Sequence, residues 1–214
     1  MNQPNGNPQA NIIFDLDGTL ADSIPILLEL VNELQIVDRT LTREDYDHAK
    51  NLSIQAILKE LGIPFWRVPG LLIKGRAALT QHINKVPFFE GMDEVIQQLA
   101  AGHRLFVMSS NSLANVQKFL DLHDIRAPFE EIYGGVGVFG KTKMLRKIAK
   151  QHALDMATTY YVGDEIRDVE AAKKAGVQSV AVTWGFNGEK ILKTHQPAYL
   201  VHTPKELQEI FEKA

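Results

Sequence analysis

Cysteine is absent from the 214 residues, which excludes disulfides, thiolate catalysis and any cysteine-ligated zinc or iron–sulfur centre. Its absence suits a reducing compartment, and the cytoplasm is the expected location. A surplus of positive charge is missing too. Lys and Arg total 23 against 26 Asp and Glu, a net charge of -3, and they are spread along the chain. Neither nucleic acid nor an anionic membrane is therefore an expected partner. No apolar stretch reaches the ~20 residues of a membrane span. The nearest, Ile24 to Val37, is interrupted by Glu29, Asn32, Glu33 and Gln35 and reads as an amphipathic helix. Met1 to Gln9 is polar, with no basic end and no apolar stretch, and reads as a frayed leader rather than a secretory signal. The seven histidines show no His-Glu-x-x-His and no other metal spacing, so they are expected as surface or internally satisfied residues.

What is present is an alternation. Asn11-Ile12-Ile13-Phe14 runs into Asp15, and Leu105-Phe106-Val107-Met108 runs into Ser109-Ser110-Asn111 and then a helical pattern. Glu131-Ile132-Tyr133 leads to a glycine-rich turn and a helix from about Lys143 to His152. Thr159-Tyr160-Tyr161-Val162 leads to Gly163-Asp164 and another helix, and Ser179-Val180-Ala181-Val182 leads to Thr183-Trp184-Gly185. Strands apolar on both faces that alternate with helices predict a parallel sheet covered on both sides, a doubly wound, Rossmann-like α/β core. In such sheets ligands bind beyond the carboxyl ends of the strands, where these small and acidic residues fall.

The rhythm breaks from about Asp22 to Lys85, which is helical with interruptions at Asp38-Arg39-Thr40, Gly62-Ile63-Pro64 and Val68-Pro69-Gly70. Residues 21–85 thus predict an inserted α-helical domain, with the core formed by residues 1–20 and 86–214. Phe65, Trp66 and Leu71-Leu72-Ile73 read as the insert's own core, with pocket lining as the competing use. Lys74-Gly75-Arg76 reads as an exposed basic turn or as a contact for an anionic substrate.

The strongest local pattern is Asp15-x-Asp17-Gly18-Thr19 after three apolar residues. Carboxylates at i and i+2 beyond a strand end reach one site if the chain turns at Gly18. Two such acids repel unless a cation or a shared proton lies between them. Magnesium, which takes a few carboxylates together with water and phosphate, suits that demand.

The string Phe14-Asp15-Leu16-Asp17-Gly18-Thr19-Leu20 resembles the first signature of the haloacid dehalogenase-like superfamily. Ser109 matches the phosphate-binding Ser/Thr of the second signature, and Lys141 the isolated lysine of the third. Gly163-Asp164 with Asp168 matches the acidic fourth. The insert falls where that family carries a helical cap, and Thr183-Trp184-Gly185-Phe186-Asn187 is similar to a string in its phosphoglycolate phosphatase-like branch. The resemblance implies a magnesium-dependent hydrolase of a small phosphorylated metabolite. In it Asp15 becomes an aspartyl-phosphate, and Asp17 serves first as acid and then as base. Members that cleave carbon–halogen bonds lack this second Asp and ion-pumping members carry Thr there. Asp17 therefore points to phosphoester hydrolysis, with a sugar phosphomutase as the alternative.

The implied metal site comprises Asp15, Asp17 (through its backbone carbonyl) and Asp164. Asp168 is a further metal-site residue, a partner that orients Lys141, or a surface partner of Arg167. Ser109 and Ser110 compete for the phosphate, the former as the strand-end residue. Lys143 competes with Lys141, which lies nearer the turn; the Lys-Pro pair common in related phosphatases is missing. Phosphoglycolate is the substrate that the branch resemblance implies, and oligomeric state is not readable.

Two rival readings exist. Gly135-x-x-x-x-Gly140-Lys141-Thr142 fits a P-loop, and Gly135-x-Gly137-x-x-Gly140 fits a dinucleotide fingerprint. Too few residues follow for a nucleotide-binding domain of usual size, no strand ends in an acid about twenty residues on, and either reading leaves Asp15 and the insert without a role. A regulatory module that kept the fold but lost turnover is the other class, and every expected catalytic residue type argues against it.

Overall fold

The first apolar run forms β1 (Asn11–Phe14) and leads into α1 (Ile24–Glu33), α2 (Arg43–Ala49), α3 (Ile54–Glu60), α4 (Val68–His82) and α5 (Met92–Ala100). The alternation follows: β2 (Arg104–Met108), α6 (Leu113–Leu122), β3 (Phe129–Tyr133), α7 (Lys141–Gln151), β4 (Thr159–Gly163) and α8 (Ile166–Ala175). It closes with β5 (Gln178–Val182), α9 (Glu189–Thr194), β6 (Tyr199–Val201) and α10 (Pro204–Glu212). This computed structural model describes residues 9–137 and 140–212, apart from the side chains at 54, 69, 72, 73 and 76–79. The leader up to Pro8, the side chains of Leu72, Ile73 and Arg76, and Val138 and Phe139 of the glycine-rich turn lie outside the described residues.

The six strands form one sheet of order β3-β2-β1-β4-β5-β6, and every pairing is parallel. Side chains alternate across a strand. Ile12 and Phe14 therefore face one layer, where Ile96 of α5, Phe119 of α6 and Phe211 of α10 pack. Ile13 faces the other, against Leu145 and Ile148 of α7 and Ala172 of α8. With helices on both faces, β1 is buried along its whole length, as the unbroken apolar run requires. The chain builds outward from β1 through β2 to β3, then returns to the far side of β1 with β4. The β1–β4 pair is thus the switch point, beyond whose carboxyl ends a crevice opens.

Between β1 and α5 the described elements are helices, with short 3₁₀ turns at Phe65–Arg67 and Ile83–Lys85. The chain leaves and re-enters the sheet side by side. Ala21 bridges Phe88 in antiparallel fashion, Asp22 N donates to Pro87 O at 2.9 Å, and Phe89 N donates to Leu20 O at 2.9 Å. No described helix is long and apolar enough to cross a membrane.

Several local expectations need correction. α1 stops at Glu33, short of Val37, because the Asn32 amide bonds both the carbonyl and the N–H of Leu41 and Gln35 turns through φ 46°. α7 starts at Lys141 rather than near Lys143. Phe65 and Trp66 are not insert core: they stand 71% and 78% exposed on the 3₁₀ turn that Pro64 caps. Lys74-Gly75-Arg76 is no turn but the middle of α4. β6, three residues long, carries too short a pattern to be read from sequence.

Candidate active site

β1 ends at Phe14, paired with Val107 on one side and Val162 on the other. The next residue, Asp15, continues the sheet by donating its N–H to Val162 O at 2.9 Å. Its side chain is buried at the switch point. One carboxylate oxygen accepts from Leu16 N at 2.9 Å, and the other accepts from Lys141 Nζ at 2.5 Å. The same ammonium donates to Asp168 Oδ1, so the first residue of α7 lies between acids from β1 and α8. Lys143, two residues on, is exposed.

Asp168 is fully engaged. Its Oδ1 also accepts from the Tyr161 hydroxyl at 3.2 Å, and its Oδ2 accepts from Glu165 N at 3.0 Å as part of the capping box of α8. It forms no pair with Arg167, which bonds Glu165 instead. Burial alone would lower the Lys141 pKa, but the charges of Asp15 and Asp168 outweigh it and hold the ammonium well above its ordinary range. Burial raises the Asp15 carboxyl, opposed by Lys141 and reinforced by Asp168.

Asp164, at the end of β4, is held differently. Its Oδ1 accepts from the Thr19 hydroxyl at 3.0 Å and its Oδ2 from Phe186 N at 2.7 Å. Both donors are neutral, and among the described residues Asp164 forms no ion pair. Burial first, then the charges of Glu165, Asp168 and Asp15, push its pKa well above the carboxylate range. Gly18 makes this packing possible. Its φ of +79° is left-handed, and a Cβ there would sit 2.2 Å from Asp164 Oδ2.

Oxygen atoms of Asp15, Asp164 and Asp168 lie within 4.8 Å of one another. The Asp17 carboxylate is not one of the three. It is half-buried and is pushed up to about 6 by burial and then by the charge of Asp15. Five acids, Asp15, Asp17, Asp164, Glu165 and Asp168, thus share two cations, Lys141 and Arg167.

Ser109 follows β2 as Asp15 follows β1. It is buried, donates its N–H to Tyr133 O at 2.8 Å, and accepts from Asn111 N at its hydroxyl oxygen, 2.9 Å away. Ser110 is half-buried beside it. Neither serine bonds the Asp15–Lys141 group among the described residues. The glycine-rich turn is strapped to this connection through Gly135 N to Asn111 O at 2.5 Å and Val136 N to Ser109 O at 3.1 Å.

Residues of the helical stretch between β1 and α5 reach the same crevice. The Tyr46 hydroxyl of α2 donates to Gly185 O, Gly188 N donates to Lys50 O at 2.7 Å, and Asn115 Nδ2 donates to Thr80 Oγ1 at 2.7 Å. Sequence reasoning assigned no role to Thr19, Asn111, Tyr161, Tyr46 or the Phe186 amide. A hydroxyl within a buried strand was the one available pointer, to Tyr161. The Phe186 group is backbone, and Tyr46 arrives only through the folding of the insert.

The chain is similar to known proteins along most of its length. A family model described as haloacid dehalogenase-like hydrolase matches residues 12–182. The chain is 33% identical over 199 residues to a phosphoglycolate phosphatase of Synechococcus elongatus, covering 92% of this chain and 94% of that protein. It is 25% identical to a 5'-nucleotidase of Pseudomonas aeruginosa over 94% of this chain and 95% of that one. A haloacid dehalogenase-like family hydrolase from Streptococcus pneumoniae shares the fold, with TM-score 0.76, 21% identity, and coverage of 95% of this chain and 98% of that one. The P-loop reading falls with these matches, and Lys141 spends its bonds on two acids of the core. The chain belongs to the haloacid dehalogenase-like hydrolases, and within them it is a phosphatase.

Proposed function

We propose that the protein hydrolyses a small phosphate monoester through an aspartyl-phosphate on Asp15, with magnesium as cofactor and phosphoglycolate as substrate. The carrying observation is the position of Asp15: a buried carboxylate at the switch point that accepts from the Lys141 ammonium and has an Asp164 carboxylate oxygen within 4.8 Å. The phosphoglycolate phosphatase of Synechococcus elongatus, 33% identical over 92% of this chain, supports the substrate.

The residues fit a hard divalent cation. The donor set is all oxygen, and Asp164 is a buried carboxylate that only neutral groups satisfy, an environment that favours a counter-cation. Asp15, the Asp17 backbone carbonyl and Asp164 would hold the ion, which offsets charge as an anionic carboxylate meets an anionic phosphate. Asp168, with both oxygens occupied, serves Lys141 rather than the metal.

In the first step an Asp15 oxygen attacks phosphorus and the bond to the leaving oxygen breaks. Asp17 gives that oxygen its proton, a role that a carboxyl titrating near 6 suits at neutral pH. Asp17 then takes a proton from water as the water oxygen attacks phosphorus, which frees phosphate and restores the Asp15 carboxylate. Lys141 stays charged throughout and stabilises the developing negative charge. Ser109 and the amides before α6 would position the phosphoryl oxygens. Residues 21–85 act as a cap on a core of residues 1–20 and 86–214, excluding bulk water from the ester.

Phosphate release from phosphoglycolate and a panel of phosphorylated metabolites, in magnesium and in EDTA, tests the reading. Asp15→Asn should lower kcat by about 1000-fold or more. Retained turnover in that variant, or full activity in EDTA, would overturn it.

A further inference from the structure

Asp164 is tied to α2 through the backbone that follows β5. Gly185 C=O and Phe186 N–H belong to one peptide unit. A trans peptide is planar and stiff, with its carbonyl and N–H pointing in opposite directions. On its carbonyl side this unit accepts the Tyr46 hydroxyl of α2. On its amide side it donates to Asp164 Oδ2 at 2.7 Å. Any rotation of the plane strains both bonds together.

The unit also has no room to drift. A Cβ on Gly185 would lie 2.2 Å from Gly18 O and 2.4 Å from both Cβ and Oδ2 of Asp164, so the backbone is wedged between the Asp15 loop and the acid. Asn187 N adds a bond to Asp164 O at 3.3 Å, and Trp184 Nε1 fixes the preceding residue to Thr19 O at 3.1 Å. The phenol itself remains a donor. Burial, and next the charge of Asp164, raise its pKa far above neutrality. A carbonyl that accepts a hydrogen bond polarises its peptide and strengthens the N–H on the other side.

We propose that Tyr46 is a positioning residue for Asp164, acting through the Gly185–Phe186 peptide, so that the Tyr46–Gly185 hydrogen bond and cation binding at Asp164 favour each other. The coupling is reciprocal: a bound cation strengthens the Tyr46–Gly185 bond by the same factor by which that bond tightens the cation. The proposal rests on the reading of Asp164 as a metal ligand. Other insert contacts bypass this peptide. Lys190 N donates to Asn51 Oδ1 at 3.3 Å, a bond that does not involve the Gly185–Phe186 peptide, which makes Asn51 the internal control.

Isothermal titration of the full chain with magnesium chloride reads the coupling without turnover, with folding checked by thermal unfolding. Tyr46→Phe should weaken magnesium binding by about 5- to 10-fold, the worth of one hydrogen bond passed to a ligand. Asn51→Ala should stay within about 2-fold of wild type. Equal affinity in wild type and Tyr46→Phe, with Asp164→Asn unable to bind, overturns the relay and leaves the metal site standing. Equal weakening by Asn51→Ala also overturns it, because insert docking in general would then be the cause. A wild-type chain that takes up no magnesium, or an Asp164→Asn chain that binds it normally, sinks the metal assignment and this inference with it.

Discussion

Lys141→Met removes one charge and leaves a side chain of similar length and no branching. In the native protein the ammonium is 2% exposed, and its partner carboxylates on Asp15 and Asp168 are 5% and 2% exposed. Removing the cation leaves two buried acids facing each other without compensation. Breaking a buried pair in this way costs roughly 3–5 kcal/mol. The Tyr161 hydroxyl and Glu165 N still bond Asp168, and Leu16 N still bonds Asp15, which argues for the lower half of that range. In a chain of 214 residues each kcal/mol moves Tm by about 2–4 °C, so a fall of roughly 6–16 °C is expected.

Urea unfolding in EDTA is the assay, with the slope m unchanged between variants. The pH dependence supplies a second check. Asp15 in the native protein already sits above its ordinary 3.8, and removing Lys141 lifts it further. An acid raised on folding weakens the native state increasingly as pH rises above the unfolded value. The deficit of Lys141→Met should therefore be full at neutral pH and shrink as pH falls toward 3.8. Loss of activity would not discriminate, because a lysine kept free for phosphate would also be needed for turnover. Stability does. A deficit under about 1 kcal/mol, or one independent of pH, would refute the clamped-lysine account.

Two further expectations follow from local geometry. Ala10 N donates to His103 Nδ1 at 3.1 Å, which needs a neutral ring with its proton on Nε2, and burial lowers the imidazole from 6.5. The unfolded chain then binds more protons below that value, so the contribution is present above about 6.5 and is lost as pH falls through it. Urea midpoints at pH 7.5 and 5.5 should reflect about 1 kcal/mol, and an undiminished slope in His103→Asn would assign it elsewhere. Gly18→Ala combines a left-handed backbone with a Cβ that would meet Asp164 Oδ2. It should cost about 1–2 kcal/mol and weaken magnesium affinity by about 10- to 100-fold; wild-type values in titration and melting would refute the packing argument.

How far the sequence carries the site depends on where each group sits in the chain. Asp15 and Asp164 could be placed because short apolar runs that alternate with helical patterns read as strands buried on both faces. The residue after such a run must then stand at a carboxyl end. The two acids are neighbours because β1 pairs with β4, an order that crossover topology favours but that no local pattern states. Lys141 was singled out by its nearness to the glycine-rich turn, although it proves to be the first residue of α7, and its partners were not legible. The Gly185–Phe186 peptide was not legible, since a backbone group has no side-chain identity to read. Tyr46 was hidden for another reason: α2, with no buried residue of its own, shows no apolar face that would reveal which side meets the core.

The structure gives the two acids of the fourth signature different surroundings. By sequence, Asp164 and Asp168 are alike, both carboxylates just past a strand. By environment they are opposites. Asp168 receives a charged donor, a phenol and an amide, so its charge is met within the protein. Asp164 receives a hydroxyl and an amide and keeps an unmet charge at a place where desolvation is costly. A buried anion of that kind persists only with a proton or a cation. A proton would leave Asp164 unable to bind metal, while a divalent cation shared with Asp15 would also ease the repulsion among the five acids. On this reasoning the ammonium cannot substitute for the metal, because Lys141 reaches Asp15 from the Asp168 side and leaves Asp164 unpaired. Under the proposed function a bound cation and the ammonium would therefore offset different carboxylates, Asp164 for the first and Asp168 for the second, with Asp15 common to both.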